Sequence, residues 1–243
     1  MSFHESFPAT SWFWRKLCSR LARCAYILCL AVIIIPAVAL RIQAAVFEAH
    51  VLTMVHALSK LRIGVSSKAD ALAQIPTLRT TQPDPFAGSR CGTDECLSTG
   101  IATSDFTGSV LRKAGGLFSL LSWWGFRGGY LDVHADFTEG RVSSLGYRLF
   151  VTTPHPDDPV VVGVSSVQHM AVAQRGFVTE VRGTYSVDFA RKSPSQSVGI
   201  RITPQAPIEI VKPAFAPKLG CLWSITGCQT WHEIFPSIER SGT

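Results

Sequence analysis

The chain has 243 residues, 47% of them hydrophobic and 16% charged, with a formal net charge of +6. Five of its 23 basic and one of its 17 acidic residues fall within residues 1–47, leaving 18 basic against 16 acidic in the remainder. No Lys/Arg cluster outside the N-terminal segment is dense enough to neutralise a run of phosphates, so nucleic acid is not an expected partner.

The basic excess belongs to a membrane signal. Cys24 to Leu40 is an uninterrupted apolar run, preceded by Arg15, Lys16, Arg20 and Arg23 and followed by Arg41. As a helix, 17 residues reach about 26 Å, and the apolar continuation Ile42 to Phe47 extends this toward a hydrocarbon core ~30 Å thick if Arg41 snorkels. The Lys/Arg asymmetry places the N-terminus on the cytoplasmic side and the bulk of the chain outside. The expected organisation is a basic cytoplasmic N-terminus (1–23), a transmembrane anchor (24–47) and an extracytoplasmic α+β domain (48–243), single-pass in the plasma (inner) membrane of a bacterial envelope. Ala37-Val38-Ala39 at the end of the apolar run also reads as a signal-peptidase site, which would export the same domain without an anchor. Pro36 is compatible with a membrane helix, where local adjustments satisfy the freed backbone groups.

Glu48 to Leu61 carries apolar residues at 51, 54, 55, 58 and 61, a one-sided helical stripe that ends at Gly64. Ser66 or Ser67 then caps a helix over Lys68 to Ile75, with Asp70 in capping-box spacing to Ser67 and Pro76 as the stop. Thr77 to Arg90 is rich in turn formers. Leu97 to Ala102 reads as a short strand, and Leu117 to Phe126 is the densest apolar stretch after the anchor.

From Gly129 the period becomes two. Tyr130–Phe137 and Val142–Thr152 read as a hairpin with a four-residue turn at Thr138–Arg141, and further strands are expected at Val160–Val167, Gly176–Phe189 and Ser197–Thr203. With no helical crossovers between them, the sheet is expected to be antiparallel, of about five or six strands, with two helices packed on it. Ile208–Pro217 reads as extended and proline-interrupted, and Leu222–Ile234 as a short terminal helix. The chain holds no asparagine, so the Asn-Gly hairpin signal is absent and turns fall to Gly, Asp and Pro.

Residues 61–72, Leu61-Arg62-Ile63-Gly64-Val65-Ser66-Ser67-Lys68-Ala69-Asp70-Ala71-Leu72, resemble the Leu-x-x-Gly-Met-Thr/Ser-x-x-x-Val/Ala-x-x-Leu signature that opens the small α+β domains of outer-membrane assembly lipoproteins and β-lactamase-inhibitor-like proteins. The resemblance implies two helices on an antiparallel sheet whose face or edge binds another protein. The same residues also have a purely structural role: Gly64 as a C-cap, a serine as an N-cap, and Leu61 and Leu72 as core.

Four cysteines, Cys91, Cys96, Cys221 and Cys228, lie in the exported part, where disulfides persist. Of three connectivities, spacing favours Cys91–Cys96 and Cys221–Cys228; neither pair has the C-x-x-C spacing of a zinc site. Trp123, Trp124 and Phe126, bracketed by Arg112, Lys113 and Arg127, form either core or a membrane-interface segment. His134 and Asp136 share a strand face, and together with His155 and Asp157 they are the one His/carboxylate set in which a metal-assisted hydrolase could be built. No nucleophile motif or phosphate loop occurs, so no catalytic or cofactor-binding residue is assigned. The functional expectation is a membrane-anchored domain binding a protein or cell-envelope component, with extracytoplasmic hydrolysis as the alternative.

Overall fold

The computed structural model describes residues 9–79, 96–103, 128–151, 159–168, 177–192, 196–224 and 227–238. The chain divides into two units, Met1–Leu40 and Arg41–Thr243. Helix α1 runs without a break over Ala9–Ser59, so the apolar run and the amphipathic stripe that follows belong to one helix. In the second unit its residues Ala44, Phe47, Val51, Val55 and Leu58 are all buried. Their spacing of three and four residues keeps them on one face over more than three turns.

Gly64, at φ +74°, turns the chain out of α1, and Ser67 caps α2 (Lys68–Gln74) in a full capping box with Asp70. The linker between the helices pairs with the sheet: the Gly64 N–H donates to the Val142 carbonyl at 2.7 Å, and the Val142 N–H to the Ser66 carbonyl at 2.9 Å.

Seven strands follow: β1 (Cys96–Ala102), β2 (Gly129–Thr138), β3 (Arg141–Val151), β4 (Val160–Val167), β5 (Phe177–Arg182), β6 (Tyr185–Ala190) and β7 (Ser197–Ile202). They form one sheet in the order β1-β2-β3-β4-β7-β6-β5. The expectation of five or six strands fell short because the run read as one strand holds the β5–β6 hairpin, in which Gly183, at φ +67°, supplies the positive φ that a two-residue turn needs between Arg182 and Tyr185. The β2–β3 turn is likewise shorter than expected, with only Glu139 (φ 52°) and Gly140 (φ 74°) between the paired Thr138 and Arg141. The sheet is mixed rather than antiparallel, since β4 and β7 pair in parallel. Consecutive strands usually pair, but here β5 goes to the far edge and β7 returns to lie beside β4.

The C-terminal region also departs from expectation. Ile208–Ala214 is a helix, α3, rather than extended chain. Pro207 stands before its first turn, where no N–H needs an acceptor, and Pro213 falls one residue from its end. In place of one helix over Leu222–Ile234 there is a 3₁₀ turn (Gly220–Trp223) and a four-residue helix, α4 (Trp231–Ile234). The Cys221–Cys228 disulfide explains this, since its Cα atoms are 4.8 Å apart, whereas residues seven apart in a helix are separated by ~10 Å along the axis.

One hydrophobic cluster joins these parts. The inward side chains of the sheet, among them Leu131, Val133, Leu149, Val162, Phe189 and Ile200, pack with Phe47, Val51, Val55 and Leu58 of α1, Ala71 of α2, and Ala214, Trp231, Ile234 and Phe235. The buried Tyr147 hydroxyl donates to the Ala214 carbonyl at 2.6 Å, and burial raises its pKa well above the ordinary range. Phe189 and Trp231 rings meet at 5.7 Å. The helices described in this unit therefore contribute to the same core face, and the opposite face of the sheet carries the polar residues.

Candidate functional site

Strand alternation sends the residues between these core positions to the opposite face. Along the register, Gly100, Asp132, Arg148, Gly163, Gly199, Asp188 and Thr179 are successive partners across all seven strands. The adjoining row is Ser98, His134, Gly146, Ser165, Arg201, Ser186 and Val181. Two of the central strands thus present glycine where a side chain would otherwise stand, and this opens a furrow.

A cavity of about 640 Å³ lies over that furrow, lined among the described residues by His134, Arg148, Phe150, Val161, Gly163, Ser165, Phe177, Asp188, Ser197, Gly199 and Arg201. A Cβ placed on Gly163 would meet nothing within 4 Å, so this glycine forms open floor. At Gly199 the same Cβ would lie 3.4 Å from the Asp188 Cβ. The volume is in the range of ordinary ligand sites.

Its chemistry varies from end to end. Phe150, Val161 and Phe177 supply apolar surface on one side. On the other, Asp188 and Arg201 form a buried pair, each less than a tenth exposed. Arg201 Nε donates to Asp188 Oδ2 at 2.7 Å, Nη2 lies 2.6 Å from the same oxygen, and Thr179 Oγ1 donates to Oδ1 at 2.5 Å. These contacts neutralise the carboxylate. Arg148 lies half-buried between the two ends, and no ion pair within 4 Å involves it among the described residues. Asp132 is its register partner but does not line the cavity among the described residues.

His134 closes one corner, with its ring stacked over the bare backbone of Gly146; a Cβ there would come within 2.9 Å of the imidazole Cε1. Loss of water contact holds the His134 pKa below its ordinary 6.5, outweighing the opposite pull of Asp136 and Asp132, and Arg148 adds to the depression. The imidazole in the wall is therefore neutral near pH 7.

Of the residues singled out from sequence, His134 and Asp136 share a face of β2, whereas His155 and Asp157 lie outside the described residues. No group of three or more His, Cys, Asp or Glu side chains is placed to hold a metal among the described residues. Cys221–Cys228 is bridged. Cys96 is disulfide-bonded and buried, while Cys91 lies outside the described residues. Trp123, Trp124 and Phe126 also lie outside them. Sequence reasoning missed Arg148, Gly163, Gly199 and the Asp188–Arg201 pair. The available signal was glycine inside two β-branched strands, Val-Val-Gly-Val and Ser-Val-Gly-Ile, which often marks close approach by a ligand or another backbone.

Compared with protein-family models, curated proteins and solved structures, the chain matches none.

Proposed function

We propose that this chain is a single-pass, membrane-anchored extracytoplasmic domain that binds a component of the cell envelope in the glycine-floored furrow of its sheet. The observation that carries the binding role is the cavity over Gly163 and Gly199, with apolar surface at one end, Arg148 beside the glycine floor and His134 at the opposite corner. Among the described residues that line the cavity, Arg148 is the cation outside the Asp188–Arg201 pair, so the occupant brings an anionic group to Arg148 and an apolar portion to Phe150, Val161 and Phe177. A protein segment with an acidic residue beside apolar ones meets both requirements, in keeping with the resemblance of residues 61–72 to small domains that bind proteins through a sheet.

The anchor rests on the N-terminal helix, whose apolar window has mean hydropathy 2.5 and no share buried inside the protein. Ala44 and Phe47 are committed to the domain core, so the lipid-facing part ends near Arg41. The N-terminus is proposed to be cytoplasmic and the membrane the plasma (inner) membrane, from the asymmetry of basic residues.

The test is affinity purification of full-length tagged protein from mild detergent, comparing the parent with Gly163→Leu and Arg148→Gln. A Cβ on Gly163 meets nothing within 4 Å, so the leucine side chain starts from open space and projects into the furrow. A partner bound by the parent and lost from both folded variants supports the reading. A partner retained by a folded Gly163→Leu protein removes the furrow from consideration.

A further inference from the structure

The residue at which the apolar run ends is held by a tryptophan from the far end of the chain. Arg41 follows Leu40 directly, and its Nη1 donates to the backbone carbonyl of Trp223 at 2.6 Å. The Trp223 indole Nε1 donates in turn to the Glu48 carboxylate. Trp223 thus lies along α1 between two residues seven apart, roughly 10 Å of helix. For a span that ends near Arg41, an interfacial layer about 5 to 7 Å thick outside the hydrocarbon falls within the stretch of α1 between Arg41 and Glu48 along which Trp223 lies.

The residues before Trp223 hold it there. The preceding Leu222 is 2% exposed within the core, and Cys221, two residues before Trp223, is bridged to Cys228. Despite this, 40% of Trp223 remains exposed. Ile42 at 60% and Val46 at 49% are exposed on the same stretch of α1, at positions the core stripe does not use. Large exposed apolar groups beside a membrane exit are out of place in water but suit the interface, where an amphipathic indole is favoured over other side chains.

We infer that Trp223, with Ile42 and Val46, forms a lipid-contacting collar that seats the domain on the headgroup layer of the membrane that α1 crosses. This rests on the membrane-anchor reading proposed above. Its partner is the bilayer interface itself: the indole ring packs among the headgroups, while its N–H donates to the Glu48 carboxylate and the Arg41 guanidinium donates to the Trp223 carbonyl. The Cys221–Cys228 bridge holds the contact in place.

The experiment reconstitutes the full-length protein, and its Trp223→Phe variant, in phosphatidylcholine vesicles carrying bromine either high or low on the acyl chain. The difference in fluorescence between parent and variant isolates Trp223 from the other tryptophans. The expected result is severalfold stronger quenching of that difference by shallow bromine than by deep bromine, together with protection from aqueous acrylamide relative to lipid-free detergent solution. In parallel, parent protein in vesicles with a headgroup-level photoreactive phospholipid should cross-link within the 220–228 peptide, a readout that needs no variant. Flotation with the vesicles, but no shallow quenching and no cross-link at 220–228, overturns the collar while leaving the anchor intact. Failure to float overturns the anchor and the collar together.

Discussion

Asp188 on β6 and Arg201 on β7 meet through the Arg201 Nε at 2.7 Å, with less than a tenth of either side chain exposed to solvent. Removing one partner leaves the other charge buried without compensation. Arg201→Met should therefore lower unfolding stability by about 3 to 5 kcal/mol, and the double variant Asp188→Leu/Arg201→Met should lose less than the sum of the single changes. Urea denaturation of the three variants checks this. A single-variant loss of about 1 kcal/mol or less, the worth of an exposed pair, would mean that the pair is solvated.

The His134 environment predicts a pH dependence. Its folded-state pKa lies below 6.5 because burial disfavours the imidazolium, so as pH falls below that value the unfolded chain takes up a proton that the folded chain does not. Stability contributed by this site is complete above the unfolded pKa and declines as pH drops from about 6.5 toward the depressed folded value. Denaturation midpoints measured from pH 7.5 to 5 should show this decline, and His134→Gln should flatten it. An unchanged slope in the variant would assign the titration elsewhere.

The Cys221–Cys228 bridge closes a loop with a sequence separation of 7. In the chain-entropy treatment a loop of this size contributes ~2 to 3 kcal/mol, so Cys221→Ser/Cys228→Ser should lose that much unfolding free energy in urea denaturation. Non-reducing peptide mapping should recover the 221–228 pair and, for the exported protein, Cys96 joined to Cys91. Recovery of Cys96 on either C-terminal cysteine would contradict both assignments.

Membrane topology is tested by carbonate extraction and by a C-terminal alkaline phosphatase fusion. The protein should remain in the pellet and the fusion should be active. Extraction of the whole chain, or an inactive fusion with an active cytoplasmic reporter at the same site, contradicts a retained anchor with an exported C-terminus.

Local chemistry in the sequence determined the elements whose causes are themselves local. The Ser67–Asp70 capping box, the apolar run leading into the 51/55/58 stripe and the period-two strands follow from side chains a few residues apart, and each is present. The Cys221–Cys228 pairing was legible for the same reason, because its loop is short. Strand order was not. Placing β7 beside β4 in parallel depends on how β5, β6 and β7 pack together, and alternation within a strand says which face a residue takes but not which strand stands next to it. The candidate site is a product of that order: Arg148, Gly163, Gly199 and Asp188 come from four strands and become neighbours only through the cross-strand register. The same holds for Trp223, whose meeting with Arg41 and Glu48 joins positions more than 170 residues apart. Periodicity cannot encode such a contact; the burial of Leu222 and the bridge at Cys221 decide it, by fixing where the final turn lies against α1.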